Sequence, residues 1–529
     1  MSNREPGTGT PAPVPPAANG RQRAWASAAG VVAACLGVSA GELLAAIVSP
    51  SLSPVSAVGA VVIDAVPAPV KDTAIALFGT ADKTALLVGM GLVIALGAAV
   101  AGLLELRRSP AGLLVLGAFG TAGLAAVLSR PQAAPLAVLP PLAAAAVAVL
   151  VLRALAARVR TLGRVTAGTA SEDAAASRRA VLASVGGGAA VALLGAALAG
   201  IARGGQAGVT ALREAVRLPV PARPAAPLPT GAALAVDGLT PLVTPATDFY
   251  RIDTALGVPV IDPAQWRLRV TGLVEREIEL SYADLLGKPL QESYVTLACV
   301  SNEVGGDLIG NARWLGWPVR ELLASAGVRP EADMVLSTSR DGWSASTPLQ
   351  ALTDNRDALL AVGMNGDPLP LEHGFPVRLV VPGLYGYVSA TKWVTELRVT
   401  RFADDTAYWT ERGWGERGPV KLSSRIDVPG RKPVSAGMVT VAGVAWAQHT
   451  GISAVQVRVD DGGWQDAQLA AGISADTWRQ YSLPVRLDAG DHELTVRAVD
   501  ANGVAQDEEK RPVLPDGATG LHTIRVTVR

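Results

Sequence analysis

Residues 1–20 are mostly Pro, Gly, Thr, Asn and Ala, with no periodic apolar face, and read as a disordered tail. Long apolar runs follow at about 24–49, 84–104, 110–129, 131–152 and 180–202, and only the first contains a charge, Glu42. Each reaches the ~20 residues needed to cross about 30 Å of hydrocarbon, so a five-helix membrane domain is expected over 21–203. Buried helices of a soluble core are the alternative, and four charge-free runs argue against it. Pro135, Pro140 and Pro141 are tolerable in a span whose neighbours satisfy the freed carbonyls. Residues 55–80, broken by Asp64, Lys71 and Asp72, suit an interfacial or re-entrant segment rather than a further span.

The pattern changes after residue 203. Residues 204–235, rich in Pro, Ala and Gly, read as a linker. Over 236–425 short β-rich runs such as Trp266–Val270, Tyr294–Ala298 and Val377–Val381 alternate with helical stretches such as Val319–Ala326, which predicts an α+β domain. Over 426–529, period-two alternation at Met438–Ala447, Ser453–Asp460, Gln480–Leu487, His492–Asp500 and Leu521–Val528, with an Asp461-Gly462 turn, predicts an antiparallel β-sandwich.

Composition sharpens this division. The 529 residues are 50% hydrophobic and 17% charged, and of the aromatic residues only Trp25, Phe78 and Phe119 precede residue 236. Lys plus Arg equal Asp plus Glu at 46 each, so there is no basic footprint for nucleic acid. Eleven arginines (Arg4, Arg21, Arg23, Arg107, Arg108, Arg153, Arg158, Arg160, Arg164, Arg178, Arg179) fall on one side of the expected spans, against Lys71, Lys83 and Arg130 on the other. The positive-inside rule puts the first set in the cytoplasm, and five spans then deliver everything after about residue 203 to the outer face. Ser177-Arg178-Arg179-Ala180-Val181-Leu182 before the last run resembles a twin-arginine export signal, and equally an ordinary positively charged anchor. Export of a folded protein makes sense where a cofactor is inserted in the cytoplasm.

With two cysteines, Cys35 in an apolar run and Cys299 outside it, no disulfide framework exists. Cys299 ends the strand-like run Val295-Thr-Leu-Ala-Cys and precedes Ser301, Asn302 and Gly305-Gly306. A lone thiol is commonly a small buried hydrophobe. No second Cys or His stands at zinc-ligand spacing, pairing with His373 as a nucleophile is conceivable, and a thiolate at a strand end can serve a metal or cofactor.

Several separated motifs, in order, carry a resemblance: Cys299-Val-Ser-Asn302, Asn311-Ala-Arg313-Trp314-Leu-Gly, the segment from Met364-Asn365-Gly366 through His373 and Arg378 to Pro382-Gly383, and Lys392-Trp393. Together they resemble the sulfite-oxidase-type family of molybdopterin enzymes over about 236–529. The resemblance implies a molybdenum-molybdopterin cofactor with Cys299 as the protein's sulfur ligand to the metal. It implies pterin binding by the segment containing Tyr250 and Arg251, by Asn302, by His373 and Arg378, and by the Ala390-Thr391-Lys392 turn. It matches Arg251 to an arginine that faces the anionic substrate in sulfite-oxidising members, a catalytic role beside Cys299. The C-terminal unit matches the family's immunoglobulin-like domain, which mediates homodimers in some members. Where sulfite-oxidising members follow the Cys-x-x-Asn motif with arginines, this chain has Glu303 and Val304, which puts a dianion pocket in doubt. There is no Cys-x-x-Cys-His haem motif, so electrons need an external partner, a cytochrome or a quinone-linked carrier.

The expected protein is therefore a multi-pass membrane oxidoreductase with its catalytic domain outside the cytoplasm. It performs two-electron oxygen-atom transfer on a small oxyanion or sulfoxide-like substrate. The rivals are a sulfoxide or N-oxide reductase with the same centre, a non-catalytic surface binding module, and a transporter, which the near absence of ionisable residues in the spans argues against.

Overall fold

The computed structural model describes residues 20–48, 53–66, 82–130, 135–168, 205–252 and 258–529 except 431, with isolated positions at 70, 73, 77, 186, 187, 254 and 255. It divides into two units, 1–204 and 205–529. The expected fifth span at 180–202, all but two of its residues, Arg178-Arg179, and the tail before Gly20 lie outside the described residues.

In the first unit the apolar runs form α1 (Gly20–Val48), α2 (Pro54–Ala65), α3 (Asp82–Arg107), α4 (Ala111–Leu128) and α5 (Leu139–Gly168). Four segments, 20–48, 84–107, 111–128 and 135–161, are helices long and apolar enough to cross a membrane. Helix α2, within the segment read as interfacial, has only 12 residues and starts at a Ser53–Ser56 capping box. Glycine sets how closely these helices pack: a Cβ on Gly30 would lie 1.9 Å from the Ala98 carbonyl oxygen, and one on Gly102 would lie 1.9 Å from that of Ala26. At one end of the bundle Arg160 of α5 donates to the Glu105 carboxylate of α3 at 3.0 Å, and elsewhere Arg130 meets Asp64 at 2.9 Å.

The second unit begins with α6 (Gly205–Ala215). The stretch expected as a linker is docked onto the downstream chain: Arg213 donates to the carbonyls of Leu369 and Pro368, Ala222 N–H to Leu290, and Leu234 N–H to Gln480. Ten strands then build two sheets: β1 (Arg267–Gly272), β2 (Ile278–Ser281), β3 (Gln291–Ala298), β4 (Ile309–Pro318), β5 (Met334–Ser339), β6 (Ser344–Pro348), β7 (Leu359–Met364), β8 (Asp367–Pro368), β9 (Arg378–Val380) and β10 (Val394–Thr400). One sheet has the order β2-β1-β10-β5-β6, with β1 and β10 parallel; the other runs β3-β4-β7-β8, with β9 beside β7. Strand β7 is buried along its whole length and reads as an unbroken apolar run, and β3 is buried along its last four residues, where Thr296 interrupts an otherwise apolar end.

The remaining strands are β11 (Ser423–Val428), β12 (Gly437–Trp446), β13 (Ile452–Val459), β14 (Gln465–Asp466), β15 (Gln468–Leu469), β16 (Arg479–Leu487), β17 (Gly490–Asp500) and β18 (His522–Val528). They form two antiparallel sheets, β11-β12-β16-β15 and β14-β13-β17-β18, whose alternate residues share one core around Val441, Val457, Tyr481 and Val496. This part is fused to the two sheets of β1–β10. Trp478, fully buried, donates its ring N–H to Leu242 and its backbone N–H to the Thr296 hydroxyl, while Thr296 N–H donates to Asp476. Strand β3, which ends one residue before Cys299, is thereby held from both sides.

Candidate active site

The apolar end of β3 carries the chain inward, and a tight turn takes it back out: Cys299 N–H donates to Leu308 and Asn302 N–H to the Cys299 carbonyl. The Asn302 side chain accepts from Leu308 N–H at 2.8 Å, so it shapes the turn. Gly305 adopts φ +79° and lies against His522; a Cβ there would lie 2.3 Å from that ring. Arg425 closes the turn with a bond to the Gly306 carbonyl. The C-terminal sheets thus brace the loop that presents the thiol.

Cys299 opens into a cavity of about 140 Å³. Tyr250, His373, Arg378, Ala390 and Lys392 line it too, drawn from the segment before β1, the turn before β9 and the turn before β10. Six of the nine positions singled out from sequence therefore converge. The other three do not line the cavity: Arg251 is exposed, Asn302 holds the turn, and Thr391 is fully buried with its hydroxyl 2.7 Å from that of Ser337.

The segments that line the cavity are held by residues behind them. Asn311 of β4, fully buried, donates to the Leu242 carbonyl and accepts from the Thr296 hydroxyl, its backbone N–H donates to the Thr244 hydroxyl, and its carbonyl accepts from Thr244 N–H. Asn365 donates to the Thr244 carbonyl. These two asparagines staple the segment leading to Phe249 and Tyr250. Phe249 packs edge-on against both Trp314 and His373, and Gly310 leaves room for it, since a Cβ there would lie 2.7 Å from the ring. Trp393 holds a left-handed φ of 52°, costly for so bulky a residue, and is locked by full burial and a bond from its ring N–H to Leu371.

The electrostatics are unusual. Arg378 is buried, lies 5.0 Å over the Trp314 ring, and donates to the carbonyls of Leu379, His373 and Ala390. No carboxylate among the described residues pairs with it, and desolvation lowers its pKa to about 10, which still leaves it charged at neutral pH. Burial and the neighbouring Arg378 cation lower His373 to about 4, so its ring is neutral. Its Nε2–H donates to Ala246 at 3.0 Å, leaving Nδ1 as the acceptor. Burial pushes the Cys299 thiol up, opposed by the Ser301 backbone N–H and hydroxyl that point at the sulfur. Burial also holds Tyr250 as a neutral phenol.

A buried cation balanced only by carbonyl dipoles fits a bound anion such as a phosphate. A thiol supported by two donors fits a metal, whose charge deprotonates it outright. Among the described residues no group of three His, Cys, Asp or Glu side chains converges, so a metal held by Cys299 takes its other ligands from a cofactor. Molybdopterin brings two sulfurs and a phosphate, and the residues present fit it. Sequence reading missed the outer wall: Asp341 and Trp343 from the turn after β5, Tyr387, and Trp409 and Trp414 from the loop after β10. The aromatic density of 408–414 was the available signal.

Comparison with known proteins agrees with this geometry. The family pattern described as oxidoreductase molybdopterin binding domain matches residues 255–409. The chain is 35% identical to the uncharacterized oxidoreductase YuiH of Bacillus subtilis (strain 168), covering 76% of that protein and 30% of this chain. It is 30% identical to sulfite oxidase of Gallus gallus, covering 67% of that protein and 49% of this chain. The chain belongs to the sulfite-oxidase-type molybdopterin oxidoreductases. Mitochondrial sulfite oxidase of Homo sapiens is 32% identical, and the match spans 58% of its length and 51% of this chain. The sulfane dehydrogenase SoxCD structure from Paracoccus pantotrophus is similar with a TM-score of 0.49 and 26% identity, covering 82% of that chain and 55% of this one. The family's resemblance, first carried by Cys299-Val-Ser-Asn302 and the His373–Arg378 segment, is thereby established.

Proposed function

We propose that residues 236–425 hold molybdenum-molybdopterin and move one oxygen atom and two electrons between water and a small substrate. The observation that carries this is a buried thiol and a buried arginine with no carboxylate partner among the described residues, lining one cavity at the end of β3. When bound, the cofactor supplies a two-electron centre able to take or give an oxygen atom. The chain's own residues do the rest. Cys299 gives up its proton to become a thiolate ligand, with Ser301 N–H and hydroxyl spreading its charge. Arg378 neutralises the cofactor's phosphate, assisted by Lys392, whose ammonium donates to the Glu372 carbonyl and lies 4.6 Å over the Trp393 ring. His373, kept neutral, holds the 246–250 segment by its Nε2–H and offers Nδ1 to a donor on the pterin. Tyr250 keeps its phenolic proton for an oxygen in the cavity.

Oxidation takes the oxygen from water and releases two protons and two electrons to an external cytochrome or quinone-linked carrier. The reverse direction consumes the same protons and electrons and releases water, as in reduction of a sulfoxide or N-oxide. Arg251, exposed beside the cavity, would meet an approaching anion without holding it. The first unit anchors the protein in a membrane. The arginine distribution supports a catalytic unit outside the cytoplasm, and Arg178-Arg179 supports twin-arginine export after cofactor loading. The paired antiparallel sheets of 426–529 support an immunoglobulin-like sandwich and a homodimer through it. Metal and pterin analysis of protein extracted from membranes tests the reading: one molybdenum and one pterin per chain are expected, and their absence overturns it.

A further inference from the structure

We infer that Arg425, on β11 of the C-terminal sheets, is a positioning residue for the Cys299 ligand, clamping the thiol's turn to the segment that carries Tyr250. The inference rests on the proposed reading in which Cys299 binds the metal. Arg425 is buried, and its guanidinium serves three segments at once. Its Nε donates to Asp427 Oδ1 at 2.6 Å, one terminal nitrogen donates to the Gly306 carbonyl at 2.7 Å, and the other donates to the Thr240 hydroxyl at 2.9 Å. The second oxygen of Asp427 accepts from Thr240 N–H at 3.3 Å and closes the ring. A planar fork reaches three acceptors in fixed directions, which a lysine ammonium on its flexible stem does not.

Both ends of this clamp lead to the cavity. Gly306 belongs to a turn with no slack: a Cβ there would lie 2.6 Å from Asn302 Oδ1, the oxygen that holds Leu308 N–H, and the Leu308 carbonyl in turn accepts from Cys299 N–H. Thr240 opens the run through Leu242 and Thr244 to Tyr250, and its carbonyl accepts from the Gln480 side chain at 2.7 Å. Between Arg425 and Asp427, Ile426 N–H donates to Nδ1 of His522, whose ring lies against Gly305 of the same turn. Three successive residues of β11 thus grip the turn at two places and the 240–250 run at one. The strand is itself pinned, because the Tyr481 hydroxyl donates to the Arg425 carbonyl at 3.0 Å and Gly443 leaves β12 room beside that carbonyl. A buried ion pair contributes little net stability, since desolvation offsets its attraction; what this one fixes is geometry. A metal shared between a protein sulfur and a pterin needs that geometry, with the thiol and the pterin-side segment held at one separation.

The test uses the full-length protein in detergent, depleted of metal and treated with iodoacetamide, with alkylation read separately at Cys299 and at the exposed Cys35 as internal reference. Arg425→Lys keeps a charge against Asp427 but loses the fork, and should let Cys299 alkylate about tenfold faster than in the wild type, the effect of one lost charge-assisted bond to the turn. The double variant Arg425→Met, Asp427→Leu removes the pair without stranding a charge, and should do the same with an unchanged denaturation midpoint. Arg479→Lys alters another arginine of the same sheets, bonded to the Ala470 and Ile452 carbonyls, and should leave the Cys299 rate within about twofold. In molybdenum-loaded protein Arg425→Lys should shift the g-values of the Mo(V) electron paramagnetic resonance signal, which follow the thiolate's orientation at the metal. Equal Cys299 rates in the wild type and Arg425→Lys, an equal rise in Arg479→Lys, or unmoved g-values overturn the inference. Wild-type protein that holds no molybdenum overturns the catalytic reading instead, and the alkylation rates still decide what Arg425 holds.

Discussion

The two units of this chain bury opposite kinds of side chain. In the helical unit the enclosed residues are small, such as Ala29, Gly30, Ala33, Ala98 and Ala101, while Leu92, Leu96, Leu114 and Leu150 are exposed. In the second unit Trp266, Trp314, Trp393 and Trp478 are enclosed. The first pattern is one that hydrocarbon surroundings favour, where cohesion comes from close backbone approach, and the second one that water favours, where it comes from burying large apolar surfaces. Their buried charges differ as well. Glu105 is closed on itself by Arg160, the Ser109 hydroxyl and Leu113 N–H, whereas among the described residues Arg378 meets carbonyls and a ring face. A satisfied set holds helices together; an unneutralised one is what the proposed phosphate site requires.

The largest expected effect comes from filling the helix contact. Gly30→Leu drives a side chain into the Ala98 carbonyl and should cost the helical unit about 3 kcal/mol, read as lost protease resistance in detergent, with the second unit's melting unchanged. Arg378→Met should lower cofactor retention by roughly 100-fold while leaving the cofactor-free second unit as stable or more so, because a desolvated cation is removed. If that unit instead unfolds, Arg378 is structural and the contrast with Glu105 fails. Asn311→Ala strips partners from Leu242 and the Thr296 hydroxyl and should cost about 2 kcal/mol in denaturant titration. Glu105→Gln should cost the helical unit about 1–2 kcal/mol, discounted because Arg160 is partly exposed.

The smallest effect concerns acid. Unfolded His373 takes up a proton near its ordinary value of 6.5, but the folded ring does so only at about 4. Stability of the cofactor-free second unit is therefore complete above about pH 6.5 and is lost as pH falls toward 4. His373→Gln should recover about 1 kcal/mol of that loss at about pH 5.5, seen as a flatter melting profile.

Much of this was legible in the chain. Long apolar runs, charge-free but for Glu42 in α1, marked the helices α1, α3, α4 and α5, and period-two alternation marked the C-terminal strands, because in each case the surroundings of a whole face decide the pattern of the element. Cys299, His373 and Arg378 were legible because motifs carry them. Trp343 and Asp341 were not: they reach the cavity from a turn between β5 and β6, and only tertiary folding brings that turn beside β3. The stretch 204–235 looked like a linker because Pro, Ala and Gly lack periodicity, yet its backbone and Arg213 find partners on β3 and the 368–369 segment. Such docking depends on carbonyls, which leave no trace in composition. Asn311 and Asn365 were noticed as parts of motifs, but their work as staples of the Thr244 segment required coordinates.

The central claim is that the Cys299 sulfur binds the metal of a pterin cofactor. X-ray absorption at the molybdenum edge of the purified wild type and of Cys299→Ser tests it directly. Three sulfur neighbours in the wild type, falling to two in the variant with loss of turnover, are expected for a dithiolene plus one thiolate. An unchanged sulfur count, or molybdenum-loaded protein whose Cys299 alkylates freely, would contradict it.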